Sequence, residues 1–452
     1  MNSVAVQQKR FAKFAPSNNS TTGYSPNGSQ PIIRFSIADT KATADMKNAR
    51  LNFRLRVLRA ANTEVAVADD VNIDRRVMAS GVIDQVIVSS RRYGNQLESV
   101  HNYGRLNSAW YDSNYSPKQM WCNQNLQTRS IGIGKADCFH STGENVATLT
   151  NMGDQWARKQ LFLNGNAGAQ PPSSKDASMI DCSIPLHLGM FQSDDINLDA
   201  VGGLEIAIFL TRESFLLNGS GNNPPTAASS YQLHDVSLSV PLLYYSAAEI
   251  AAQNAQPEQA ITFMNWTSIY SVLDSTFTSI AHRLNLNNLL SSIHNTQPTA
   301  SINTFANNNF ALRDSGIEQL TFLKDGVKNP LEKTTIVDTP ANQNINQRGT
   351  KQVEVLTEAL GAYKNPIDVL YSQVTGENVT GPAAIAQGHH QLGVNYDPSG
   401  GVGINVAGTI SYDIQTKLQQ LANATLTEPY AFYSFYLSKQ GYLINQNGMI
   451  PI

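Results

Sequence analysis

His389 and His390 are the only adjacent histidines in the chain, and neutral imidazole is a common metal ligand and proton carrier. Adjacent residues on a strand point to opposite faces, the Gly- and Ala-rich setting reads as a loop, and no Asp, Glu or Cys stands nearby at ligand spacing. Gly400, Gly401 and Gly403 have the look of a phosphate-cradling loop but precede a strand pattern and lack both the Lys-Ser/Thr pair and the helix start that such a loop needs. Asp194, Asp195 and Asp199 could offer oxygens to calcium, yet the spacing of a calcium-binding loop is missing. Cys122, Cys138 and Cys182 lie far apart and are odd in number, which argues against a disulfide framework and a thiolate zinc site alike and suggests a reducing compartment. The sequons at Asn114, Asn218, Asn265 and Asn423 are what a chain rich in Asn, Ser and Thr produces by chance. No Ser-His-Asp or Cys-His grouping has a supporting motif, so the sequence assigns no catalytic residue, no cofactor site and no metal ligand, and the expectation is a protein that is not an enzyme. The aromatic run Tyr430, Phe432, Tyr433, Phe435 and Tyr436 could stack on sugars or bases, but aromatics on both faces of a strand more often form a sandwich core.

Size and composition bound the scaffold that positions these groups. At 452 residues the chain exceeds what one core accommodates, and two units of similar size are expected. Charged residues make up 15% of it, against about 25% in ordinary domains, with Asn, Gln, Ser and Thr in their place. The net charge of −3 gives no global basic footprint for phosphate neutralisation, so direct genome packaging is not expected as the main task. The first thirty residues carry Lys9, Arg10 and Lys13 with no apolar segment behind them, and no uncharged apolar run reaches membrane-spanning length; the reading is a soluble chain without a signal peptide.

Hydrophobic periodicity points to strands. Ile33, Phe35 and Ile37 alternate with polar residues, as do Leu51, Phe53, Leu55 and Val57; the same period of two returns at Leu204 to Leu210, Val236 to Leu242, and Ile404, Val406 and Ile410. Turn pairs at Asn164-Gly165, Asn218-Gly219, Asp325-Gly326 and Asn447-Gly448 supply the positive φ angles of tight reversals. Helical patterns are few: one places Val353, Leu356, Leu360 and Tyr363 on one face before Asn365-Pro366, and a shorter one runs through Ala247, Ala248, Ile250 and Ala251. The opening stretch, residues 1–30, lacks periodicity and reads as an extended arm ordered only by neighbours; the junction between two units falls in the Ala- and Gln-rich stretch 246–259.

In the run Val82 to Asp112 a strand ends in a glycine turn at Gly94, followed by Leu97-Glu98 and then Asn102-Tyr103 leading into a short helix. In the segment Ile184 to Leu210 a strand ends in Gly plus a large residue, here Gly189-Met190, before a strand of the LEIxIxL kind. In these motifs and their order the chain resembles the double jelly-roll major capsid proteins of the polinton-like virus, virophage and adintovirus group. Tyr231 to Tyr245 resembles the last strand of a first roll; Gly393 to Gln415 and Pro429 to Ile452 resemble the final strands of a second. The chain is short for a virophage shell, so a polinton-like or related small DNA virus fits better.

The resemblance implies an all-β chain of two consecutive eight-stranded jelly rolls with a few short helices in loops: an arm at 1–30, a first roll at 31–250 and a second at 251–452. It implies a major capsid protein of the virion, assembled inside the host cell, whose homotrimers form pseudo-hexagonal capsomers tiling an icosahedral shell. Its partners would be other copies of itself, in the trimer and in neighbouring capsomers, and penton and minor capsid proteins. The arm's three basic residues could face an internal membrane or the genome, and could equally be ordinary solvated charges. The rival reading is a β-rich virion attachment or carbohydrate-binding protein.

Overall fold

The computed structural model describes residues 8–114, 179–335 and 391–452, with short breaks inside these spans, and Leu356, Glu358 and Ala359. Eight principal strands build the first roll: β1 (Gln8–Phe14), β2 (Ile32–Ile37), β3 (Arg50–Ala60), β4 (Ile83–Ser90), β5 (Gln96–Val100), β6 (Ile180–Pro185), β7 (Leu204–Leu210) and β8 (Ser230–Tyr244). They form two antiparallel sheets, β1-β8-β3-β6 and β2-β7-β4-β5, the first extended by two-residue strands. The chain crosses from one sheet to the other at nearly every step, which is jelly-roll connectivity. Period-two burial explains why these segments pair as they do: Ile33, Phe35 and Ile37 are buried while Arg34 is exposed, and Leu51, Phe53 and Leu55 face Leu204, Ile206 and Ile208 in one core.

The second half supplies β9 (Gln259–Leu273), β10 (Phe277–Pro298), β11 (Ile317–Lys324), β12 (Leu392–Asn395), β13 (Ile404–Thr416), β14 (Tyr430–Asn445) and β15 (Gly448–Pro451). Among the described residues these lie in the order β11-β13-β10-β14-β9, with β12 on β10 and β15 on β14. A single parallel bridge, Thr267 to Ser99, joins β9 to β5, so one continuous sheet runs from the first roll into the second. Asp325 (φ 51°) and Gly326 (φ 79°) make the tight turn that returns the chain after β11, as their sequence demands.

β14 explains the aromatic run. Ala431, Tyr433, Phe435 and Leu437 join the first core, while Phe432 and Tyr436 join a second core with Leu289, Val406 and Ile410. Both faces of this strand are apolar because each roofs a different core. The rings are core, not an exposed stacking surface, and only Tyr430 is part-buried.

The stretch read as an arm departs from expectation. Gln8 to Phe14 pair in full register with Tyr244 to Leu238, Lys9 Nζ lies 3.4 Å from Asp45 Oδ2, and Tyr24 is buried and bridged to Leu233. Seven residues that expose most of their side chains show no hydrophobic pattern, yet the open edge of β8 orders them through the backbone. The helical pattern near 353–363 lies mostly outside the described residues, where Leu356 and Ala359 are buried. The shorter one near 247–251 is described only in part; Ser246 and Glu249 cap each other there, each side chain accepting the other's backbone N–H. The turns at Asn164-Gly165 fall outside the described residues.

If β1 is integral to the roll, deleting residues 1–15 strips seven backbone pairings from β8. Thermal unfolding of the truncated chain is then expected at a midpoint several degrees lower, about 2–4 °C for each kcal/mol lost; an unchanged midpoint would return the segment to a dispensable arm.

Candidate functional site at the seam between the rolls

Glu98 is the one acidic side chain of β5 and is 1% exposed. It enters the core because three backbone donors converge on it. Oε1 accepts from Gly189 N and Trp266 N, and Oε2 from Met190 N, all at 2.9 Å. Gly189 and Met190 open a four-residue helix after β6, and Trp266 belongs to β9, so one carboxyl group ties together a strand and a loop of the first roll and a strand of the second. Glycine is required at 189: a Cβ there would lie 2.9 Å from Met264 C and Asn265 N of β9. Burial lifts the Glu98 pKa to about 7, with the three N–H donors opposing the rise.

The rest of the seam is built on the helix α1 (Tyr103–Asn114), which follows β5 directly. The Tyr103 hydroxyl accepts from His187 N at 2.6 Å, and the Trp110 ring stacks on His187 at 5.5 Å. Toward the second roll, Arg105 Nη2 donates to Gln297 Oε1 and, at 2.5 Å, to Asn309 O, with its guanidinium 4.2 Å from the Tyr433 ring centre. Ser108 Oγ donates to Phe310 O and Gln391 Nε2 to Ala109 O. Asn265 Nδ2 donates to Leu97 O at 2.5 Å and to Gln440 Oε1 at 3.1 Å. Leu97-Glu98, Asn102-Tyr103 and Gly189-Met190, separate motifs in the sequence, thus meet in one place. The arrangement ties the two rolls together.

The other residues singled out in the sequence lie at separate places where they are described. His389, His390, Gly400, Gly401, Asp194, Asn423, Cys122 and Cys138 lie outside the described residues, as does the side chain of Asn114. Gly403 donates its N–H to Asn288 Oδ1 at 2.5 Å just before β13. Asp199 sits 3.7 Å from Arg92 Nη2. Asn218 is part-buried in a two-residue strand, Cys182 is buried on β6 with its thiol pKa pushed up by burial, and Asn265 is buried with its amide engaged. Among the described residues no group of three or more His, Cys, Asp or Glu is placed to hold a metal.

Sequence reasoning passed over His282 and His294 on β10. His282 stands 2.7 Å from both Ser271 Oγ and Tyr436 OH; His294 lies 2.8 Å from Ser292 Oγ and 2.9 Å from Ser434 Oγ. Burial lowers their pKa values to about 4 and about 3, so both rings are neutral hydrogen-bonded core groups and poor bases. The only sequence signal was their even spacing along one strand.

The Glu98 anchor has a pH signature. A carboxyl whose folded pKa of about 7 exceeds the ordinary 4.5 contributes most to stability below pH 4.5, and that contribution is lost as pH rises through 7. Denaturant unfolding of the wild type relative to Glu98→Gln should therefore show the difference shrinking by a few kcal/mol between pH 5 and pH 8. Parallel profiles would remove the carboxyl from the seam's energetics.

No family model and no curated protein matches the sequence. Solved structures do match in fold. PBCV-1 VP54, fitted into a reconstruction of the virophage Sputnik, aligns at TM-score 0.55 and 9% identity over 98% of this chain and 96% of its own. The Sputnik virophage structure aligns at TM-score 0.58 and 9% identity over 99% of this chain and 88% of that one. A chain of the PBCV-1 capsid aligns at TM-score 0.55 and 8% identity over 99% and 97%. At such identities the likeness speaks to architecture, and it places this all-β chain, across both rolls and the seam between them, in the double jelly-roll fold of the PBCV-1 and Sputnik capsid structures.

Proposed function

We propose that this protein is the major capsid protein of a virion, acting as a homotrimer whose six upright rolls form a pseudo-hexagonal capsomer of an icosahedral shell. The observation that carries this reading is the extent of the fold: two rolls in one chain, over 98–99% of its length, in the arrangement found in the PBCV-1 and Sputnik structures. Two rolls per chain give a trimer six similar sides, and a hexagonal outline packs laterally with few kinds of contact. Such a building block works only if its two rolls keep one relative orientation, which the Glu98 and α1 contacts provide. Low charge density suits broad, polar lateral contacts without unpaired buried charge.

Within this reading we divide the chain near residue 250, with the first roll beginning at β1, and give the protein a structural, non-enzymatic role. Partners are other copies of the chain, penton and minor capsid proteins. Lys9 and Lys13 on one face of the edge strand β1, and Arg10 on the other, are the exposed basic residues that would meet a membrane or genome. The carbohydrate-binding alternative loses its main support, since the β14 rings are core.

Light scattering with negative-stain microscopy of the purified full chain tests the proposal. A particle of three chains with a hexagonal outline is expected; a monomer or dimer over the whole accessible concentration range would overturn it.

A further inference from the structure

A cavity of about 230 Å³ opens beside the seam, at the N-terminus of α1. Its buried walls are Thr211, Arg105 and Phe310; Asn102 and Phe215 are part-buried, and Asp84 and Arg212 are exposed at the mouth. Three features single it out. Arg105 is held in place by Gln297, Asn309 and the Tyr433 ring, so its guanidinium is already oriented. Two guanidiniums against one carboxylate leave the walls net positive, and the 12-residue helix adds the positive end of its dipole. Thr211 is 3% exposed and both its backbone groups are used, the N–H by Val82 O and the carbonyl by the Tyr231 hydroxyl, yet its own hydroxyl has no partner among the described residues. A buried hydroxyl without a partner costs roughly 1–3 kcal/mol, and here it lines a polar cavity whose other donors are the two arginines and an amide.

We propose that this cavity binds a phosphate group. A tetrahedral oxyanion presents acceptors in several directions, matching Arg105, Arg212, the Thr211 hydroxyl and the Asn102 amide, which a planar carboxylate cannot meet at once. Asp84, the one carboxylate of the walls, accepts from the P–OH of a phosphate monoanion, the form that dominates below a second pKa of about 6. Because Arg105 also holds Gln297 and Asn309 of the second half, an occupied cavity strengthens the seam from the side opposite its first-roll anchors.

The test is thermal unfolding and isothermal titration of the full chain with inorganic phosphate, against sodium chloride and sodium sulfate at matched ionic strength. The variants are Arg212→Gln, at an exposed site, and Thr211→Val, which removes only the unpartnered hydroxyl. A saturable rise in midpoint with phosphate is expected for the wild type, and binding at least tenfold weaker in both variants; without phosphate the Arg212→Gln midpoint stays within a degree of wild type and the Thr211→Val midpoint lies a few degrees above it, since the unpartnered hydroxyl is gone. No saturable rise, the same affinity in both variants, or an equal response to sulfate would overturn the assignment. A glycerol phosphate titration names the source: tighter binding than inorganic phosphate points to a phosphorylated molecule, equal binding to the free ion, and either upholds the site.

Discussion

A carboxyl group buried in a protein core is costly unless donors converge on it, and the Glu98 site meets that condition with backbone N–H groups from two distant parts of the chain. Since backbone donors cannot change rotamer, the geometry of the acceptor fixes the loop at Gly189 and the start of the second roll at Trp266 relative to β5. An apolar residue at 98 would leave three amide hydrogens facing a dry interior. The close approach of Gly189 to β9, the placement of α1 and the single bridge from Thr267 to Ser99 all follow from that convergence.

The second constraint is the double-faced strand β14. A sheet solvated on one side alternates polar and apolar residues; a sheet covered on both sides need not. Ala431 to Leu437 fall in the second class because they roof the first core on one face and the second core on the other. The two rolls are therefore not beads on a linker but share a wall, and the polar seam around α1 closes over the end of that wall.

Much of this was legible in the sequence. The alternation at Ile33 to Ile37, Leu51 to Val57 and Leu204 to Leu210 marked strands correctly, since each has one wet face and the period is local. The motifs around Glu98, Tyr103 and Gly189 could be matched as a pattern, but their shared purpose could not, because it depends on contacts spanning 91 and 168 residues. The pairing of β1 was not legible for the opposite reason: its order comes from backbone pairing with β8 and leaves almost no trace in side-chain hydrophobicity. His282 and His294 escaped notice because an isolated polar residue on a long strand carries no signal until the hydroxyls that satisfy it are in place.

The topology also governs when the molecule can exist during synthesis. β1 has no strand partner until β8 emerges more than two hundred residues later, and the first core lacks Tyr433, Phe435 and Leu437 until β14 emerges, some four hundred residues after β1. Pairings of such long range are slow to form, and a ribosome-bound first half lacks part of the apolar wall that completes its own core. Completion of both rolls is thus tied to the emergence of β14, and a chain that stops short of it leaves the wall shared by the two cores unfilled.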